Sequence, residues 1–562
     1  MARGEEPGDL LLAGGRIVNV FTQRIEEGNV VLADGWIAAA GPHAWDAAER
    51  LSLDGMFVFP GLVDAHMHLE STLLTPAELA RVVVPHGTTA IVADPHEIGN
   101  VLGLRGVEML LDATAGLPVD FFFLAPSCVP AAAWENAGAS LEPDAVEHLL
   151  RHERVLGLAE VMDFPAVLQG KQQVLDKILA AQRRGGAVDG HAPGLAGRDL
   201  AAYVAAGIRS DHESTQAREA EAKASLGMLV QVREGSSARN LEALLPLIRE
   251  DRLGDWCLAT DDIHPDDLLA RGHIDGLLGR LIRAGVPPAK AIRHATLVPC
   301  RHYGLRDRGA VAPGYRADLV VAGDLADGRP VLVIKAGRLV ARDGRYDGPL
   351  PPQRMPAENT VHLAPLREED FVLRVCRHPC PVIGVTEGQI VTRLESMEVA
   401  VADGRWVFDP GRDVALVASI ERHRATGQIG LGLVRGFGFH THAAIGSSVA
   451  HDSHNLILAG TNHSDMLRCA AAIEQLGGGW VLVADGQVRA QLPLPVAGLL
   501  ATGSAEEVAS QLDALRTAAR QVGCQLSDPF GVLSFLALSV IPELRITDRG
   551  LFQVLTQQFL TA

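Results

Sequence analysis

"GLVDAHMHLEST", residues 61–72, decides how this chain is read. An apolar run from Phe57 to Val63 stops at Asp64 and then at two histidines two residues apart, His66 and His68. Side chains two apart project the same way only on a strand, where the side-chain period is 2. His66 and His68 therefore stand together at the end of a strand that begins buried. A single histidine there is ordinary as a hydrogen-bonded core residue. Two on one face ask for a shared partner, and a metal ion is the commonest.

Seven further runs of the same kind follow within residues 61–300: "TTAIVADPHE", "FFFLAPSC", "VLGLAEVMD", "AVDGHAPG", "IRSDHES", "MLVQVREGS" and "CLATDD". Helix-length segments such as 75–85, 169–184 and 236–250 lie between them and carry helical periodicity. Strand then helix, eight times, predicts an α/β fold built on a (β/α)8 barrel. The polar residues gather at the C-terminal end of each run, where such barrels keep their catalytic groups.

The flanks have another rhythm. Residues 9–60 read as short strands with Gly-rich turns, including a hairpin around Asp34-Gly35. Residues 309–344 repeat that pattern, so 1–60 and 301–345 are expected to form one small β-sandwich domain from both sides of a 61–300 barrel. The Pro-rich, polar stretch 346–365 reads as a linker, and 366–562 as a C-terminal α+β domain.

The chain has 562 residues, 48% hydrophobic and 21% charged, which fits a soluble globular protein of several domains. Its 68 acids against 50 bases give a net charge of -18 and argue against a nucleic-acid surface, which needs clustered Lys and Arg. No apolar run approaches membrane-span length, and the first residues lack a signal-peptide pattern. Seven scattered cysteines without a CxxC pair suggest reduced thiols and a cytoplasmic protein. "CRHPC" (376–380) reads as an ordinary turn. An acidic surface is compatible with a monomer or a homodimer.

The metal-capable residues at the strand ends are His66, His68, Glu160, His191, His212 and Asp261. Four imidazoles and two carboxylates exceed what one tetrahedral ion needs. They suit two divalent ions sharing a bridging carboxylate, with a hydroxide between them. Imidazole and carboxylate without thiolate suit manganese, iron or zinc. After the second run, "ADPHEIGN" offers Asp94, His96 and Glu97; spacing alone leaves open whether they meet a substrate or form a Pro-turn that caps the next helix. Glu70 and Ser71 follow the histidine pair and could face the pocket. Arg233 and Ser236, after the seventh run, are further candidates, and Asp262 reads as structural.

"PGLVDAHMH", the later strand-end histidines and aspartate, and "GAVAPGYRADLVV" resemble the amidohydrolase superfamily. More narrowly, "HLESTLLTP", "DPHEIGNVLG", "DGHAPGL", "SDHES", "LATDD" and "GFGFHTHAAIGSSVAHDSHNLILAGTNHSDM" resemble bacterial adenine deaminases, over almost the whole chain. The resemblance implies hydrolysis of a purine base, with His66, His68 and Asp261 on one ion, His191 and His212 on the other, and Glu160 as the bridge. It implies manganese or iron(II), manganese being the expectation. It makes Asp261 the proton shuttle, Glu97 the donor to the ring, and Asp94 and His96 substrate contacts. The 447–455 loop, with His451, Asp452 and His454, is expected to close over the site as a lid. Two other readings remain: an amidohydrolase for a different heterocycle or cyclic amide, and a barrel kept as a non-catalytic scaffold. All six ligands are present, against the scaffold.

Overall fold

The computed structural model describes residues 1–349 and 355–561. The centre of the linker read at 346–365, residues 350–354, lies outside the described residues. Among these residues no helix is long and apolar enough to cross a membrane.

The eight runs are eight parallel strands: β1 Leu62–Met67, β2 Thr88–Ala93, β3 Asp120–Ala125, β4 Val155–Val161, β5 Ala187–Gly190, β6 Ser210–Asp211, β7 Leu229–Arg233 and β8 Trp256–Ala259. They form a five-stranded sheet, β5-β4-β3-β2-β1, and a three-stranded sheet, β6-β7-β8. The sheets meet at both edges. At one seam Asp261 N–H donates to the His66 carbonyl (3.0 Å) and His68 N–H to the Asp261 carbonyl (3.1 Å). At the other, Arg209 N–H donates to the Val188 carbonyl at 2.9 Å. Strands β1 and β2 are buried along their whole length, which is why they read as unbroken apolar runs rather than alternating ones. Helices lie between consecutive strands; Gln172–Arg183, between β4 and β5, buries Val174, Ile178 and Ala181.

A nine-stranded sheet draws Gly8–Asn19 through Phe57–Pro60 from one side and Leu319–Ala322 through Arg345–Tyr346 from the other. Phe57–Pro60 and Leu319–Ala322 pair antiparallel and join the two segments. Its Asp34-Gly35 hairpin has both turn residues at positive φ (51° and 81°), the primed geometry that this dipeptide favours.

Beyond residue 355 an eight-stranded mixed sheet runs from Arg393–Met397 at one edge to Gln487–Pro493 at the other. Helix His463–Leu476 packs on it, and a three-stranded sheet, Leu544–Thr547, Gly550–Gln553 and Gln558–Leu560, stands beside it. One continuous apolar cluster includes Leu73, Leu79 and Ile98 near the parallel strands together with Trp480, Leu482 and Phe530 of the C-terminal part. The C-terminal part is thus packed directly against the strand ends.

Candidate metal centre and substrate cavity

The backbone sets the site before any side chain does. Asp261 follows β8 with φ +58°, a left-handed conformation that costs a non-glycine residue on the order of 1 kcal/mol. Its two seam hydrogen bonds to His66 and His68 hold it there. Asp64 lies beneath. Its Oδ1 accepts from the backbone N–H of His66 (3.3 Å) and of Thr260 (3.1 Å), and His273 Nε2 is 2.9 Å from its Oδ2. The acid that stops the apolar run therefore locks β1 to β8 just below the histidine pair.

Above it the six strand-end residues converge. Asp261 Oδ1 lies 3.4 Å from His66 Nε2 and 3.1 Å from His68 Nε2. Glu160, at the end of β4, divides its oxygens. Oε1 is 3.2 Å from His68 Nε2 and 3.9 Å from His66 Nε2; Oε2 is 2.7 Å from His191 Nδ1 and 3.1 Å from His212 Nε2. Donor atoms about 3–4 Å apart are what ~2.1 Å bonds to a common ion produce. His66 is fully buried, yet neither ring nitrogen has a hydrogen-bond partner among the described residues. A buried polar group without a partner is costly, and a cation among these donors would satisfy it. The donor set, without sulfur, fits a divalent ion of intermediate hardness.

Electrostatics point the same way. Burial opposes ionisation of Glu160, but His212 and His191 outweigh it and hold its carboxyl well below the usual range. Burial likewise opposes a charged His212, yet Glu160 and Asp261 push it up to about 9. The carboxylates give the pocket a negative potential, which favours a positive charge among these donors. Arg233, at the end of β7, balances part of it: its guanidinium contacts Glu213 and reaches Asp261 Oδ2 at 2.7 Å.

A narrow cavity opens on this cluster, lined also by His96, Glu97, Glu213, Asp262, His451 and Asp452. Helix His96–Leu102 starts at the end of β2 and delivers His96 and Glu97. Asp94 Oδ2 holds His96 Nδ1 at 3.0 Å, and the Asp94 carbonyl lies 3.1 Å from His68 Nδ1. Glu97 is gripped from the C-terminal part: His451 Nδ1 is 2.6 Å from its Oε1, and His454 Nε2 contacts its Oε2. Burial opposes its charge, but His451, His454 and His96 hold its carboxyl well below the usual range. His451 rises to about 9 against the opposing effect of burial, mainly through Glu97.

Not every candidate reaches the cavity. Glu70 Oε1 accepts the Ile98 N–H at 3.0 Å and supports the helix that carries Glu97. Ser71 donates to Asp262 Oδ1, and Ser236 donates to Asp267. Asp94 and His454 act one layer back, through His96 and Glu97. Glu213 and the apolar wall of Met162, Ile390, Phe535, Leu538 and Ile541 escaped sequence reading. Glu213 follows the ligand-like His212 at a strand end and was findable by position; the apolar residues carry no local signal. Asp262, read as structural, lines the cavity, where burial and Asp261 raise its carboxyl. The 447–455 segment reaches the cavity through His451 and Asp452 and is itself buried.

Residues 57–340 match the amidohydrolase family, and residues 389–558 match the adenine deaminase C-terminal domain. An adenine deaminase from Desulfatibacillum aliphaticivorans is 44% identical over 98% of this chain and 97% of its own. One from Methanothrix thermoacetophila is 45% identical, covering 98% and 96%. Among solved structures, a β-aspartyl dipeptidase from Fervidobacterium islandicum AW-1 matches with a TM-score of 0.47 and 13% identity, over 61% of this chain and 99% of that one.

Proposed function

Because this chain belongs to the adenine deaminase family of amidohydrolases, we infer that it hydrolyses adenine to hypoxanthine and ammonia. The observation that carries this reading to the residues is Glu160, whose two oxygens serve two separate histidine pairs. We read the two parallel sheets as one (β/α)8 barrel, 61–300, flanked by a β-sandwich domain from 1–60 and 301–345 and by a C-terminal domain from 366. The setting we propose is cytoplasmic purine salvage.

In this reading His66, His68 and Asp261 would hold one divalent ion and His191 and His212 a second, with Glu160 able to serve both. Manganese fits the donor set, as iron(II) does. Such a pair of ions supplies Lewis acidity and lowers the pKa of water towards ~7. Asp261, ionised and oriented by Arg233, accepts the proton of the water that adds to C6 and passes it to the amino group. The C6–N bond then breaks and ammonia leaves. The ring nitrogen beside C6 gains a proton, which hypoxanthine retains, and the second proton of the added water leaves the C6 oxygen as the carbonyl forms and restores the donor. Glu97, held ionised, is better suited to orient this proton than to supply it, so the donor is drawn from the imidazoles around it, His96 and His451. The apolar wall would pack on the purine plane and exclude bulk water.

Ammonia release from adenine by the metal-loaded protein, with ions counted per chain, tests the reading. Activity on adenine and about two ions are expected; release only from a cyclic amide or another heterocycle would overturn it. The free base should exceed adenosine by roughly 10⁴-fold in kcat/KM, because a closed site that bonds the ring N–H rejects a base bearing ribose there. Comparable efficiencies would indicate a nucleoside enzyme.

A further inference from the structure

The apolar wall of the cavity is assembled from distant pieces of chain. Ile390 lies in the loop between strands Cys380–Gly384 and Arg393–Met397. Phe535 ends the helix Pro529–Phe535, and Ile541 lies in the turns before strand Leu544–Thr547. Apolar contact alone does not fix three separate backbone segments in one geometry. A single side chain reaches all three. Arg545 donates from Nε to the Ile541 carbonyl (2.7 Å), from Nη1 to the Phe535 carbonyl (2.7 Å), and from Nη2 to the carbonyls of Ile390 (2.7 Å) and Pro542 (2.9 Å).

This guanidinium is completely buried, and among the described residues no carboxylate pairs with it. A buried charge without a counter-charge is a poor way to stabilise a core, and an apolar side chain of similar volume would serve stability better. What the guanidinium offers is a rigid planar fork that meets several carbonyls at once, which an ammonium cannot reproduce. Three of the four residues whose carbonyls it holds, Ile390, Phe535 and Ile541, face the cavity. The wall is also thin. Ile390 and Phe535 line the catalytic cavity on one side and, on the other, an outer cavity formed by Ser236, Thr386, Gln389 and Ser527, which Arg545 lines as well. Phe535 further stacks on His451, 4.5 Å between ring centroids at 15°, and so backs the imidazole that grips Glu97.

We propose that Arg545 is a positioning residue for substrate selection: by holding the Ile390, Phe535 and Ile541 carbonyls it sets the wall that clamps the bare purine and keeps larger bases out. The proposal rests on the adenine deaminase reading. It places the determinant of base size in the C-terminal part, on a residue that touches neither substrate nor metal ligand.

The test is steady-state kinetics of the full metal-loaded chain on adenine and on 9-methyladenine, for wild type and Arg545→Lys, with ions counted per chain. In Arg545→Lys the KM for adenine should rise about tenfold, with kcat and metal content little changed, and the preference for adenine over 9-methyladenine should shrink by a similar factor, the scale of a changed apolar pocket. A lower melting temperature with KM and preference unmoved would make Arg545 merely structural and overturn the proposal. If Arg545→Lys does not fold, Ile390→Ala and Phe535→Ala decide: both leave the guanidinium's carbonyl partners in place, and both must weaken the preference. An unmoved preference in both overturns it. Wild type that releases no ammonia from adenine would remove the functional reading and this inference together. An active wild type with unmoved variants removes this inference alone.

Discussion

The two halves of the cavity are built by opposite means. One half hangs on strand ends: His66, His68, Glu160 and Asp261 leave a hydrogen-bonded sheet, and the seam bonds of Asp261 fix it to within one backbone geometry. The other half hangs on connections and a helix end rather than on strand ends: His451 and Asp452 lie between two strands, Ile390 and Ile541 lie outside any strand, and Phe535 ends a short helix. There two buried guanidinium groups bonded to carbonyls do the fixing, Arg545 for the wall and Arg422 for the His454 carbonyl. Groups that share ions need placement to a fraction of an ångström, and sheets provide it. A surface that selects by size tolerates looser support and can be altered without touching the ions.

That contrast is broken most severely from the strand side. Glu160→Gln replaces a carboxylate that serves two histidine pairs with an amide that bridges poorly. Turnover should fall on the order of 10⁴-fold, the scale on which loss of one member of a tightly interdependent set is felt, and the count of bound ions should drop. Metal analysis beside ammonia release checks this; two retained ions at full rate would end the bridging role.

Glu97 belongs to the strand half by chain and to the loop half by contact, so Glu97→Gln tests the junction. The variant keeps the shape but leaves His451 and His454 without their anion. A loss of about 100-fold in kcat, the upper end for a group that orients others, is expected with metal content intact. Loss of metal instead would move Glu97 into the strand-end set.

Arg422→Lys sharpens the loop side alone. Arg422 donates to the His454 carbonyl, to Thr360 Oγ1 (3.0 Å) and to the Ala497 carbonyl (3.3 Å). Lysine cannot span these. An effect of about tenfold on kcat/KM, typical of residues that orient others, should appear without metal loss. An equal effect on bound metal would show that the halves are not separable.

The same contrast explains what was legible in the amino-acid sequence. His66 and His68 could be read because strand period 2 and an abrupt end to an apolar run are local signals. Most of the eight parallel strands were legible because an apolar run ends in polar residues, although the two-residue strand Ser210–Asp211 is itself polar. Glu70 and Ser71, next to the pair, looked like pocket residues, but the chain turns after His68 and aims them at the Ile98 N–H and at Asp262. Proximity in sequence does not survive a tight turn. Ile390, Phe535, Ile541 and Arg545 were illegible for the reverse reason. Each is an ordinary residue in an ordinary segment, and only the tertiary meeting of loops 150 residues apart gives them a role.

The smallest expected effect concerns the tie between the halves. His264, just past β8, donates from Nδ1 to the Ser71 carbonyl (3.1 Å), and its Nε2 lies 3.4 Å from Asp528 Oδ2. Asp528 in turn caps the helix Pro529–Phe535 through the Gly531 N–H, so the pair ties a strand end to the helix that presents Phe535. Burial opposes a charged His264, but Asp528 outweighs it and, with Asp266, raises the imidazole to about 9. Burial opposes a charged Asp528, but His264 and Arg516 bring it down to about 2. A histidine raised on folding stabilises fully below its unfolded value near 6.5, and that contribution fades as pH climbs through about 9. The aspartate's contribution is present above about 4 and fades only as pH falls through about 2. The tie is therefore strongest from about pH 4 to 6.5. Asp528 keeps 17% of its side chain exposed, so solvent screens the pair and its worth is held to about 1 kcal/mol. In melting curves, wild type should exceed Asp528→Asn by about 1 °C at pH 6, and the gap should narrow towards pH 10. Taking the difference between the two proteins cancels the titration of groups they share. A gap that stays constant from pH 6 to 10 would mean that the charge of His264 contributes nothing to this tie.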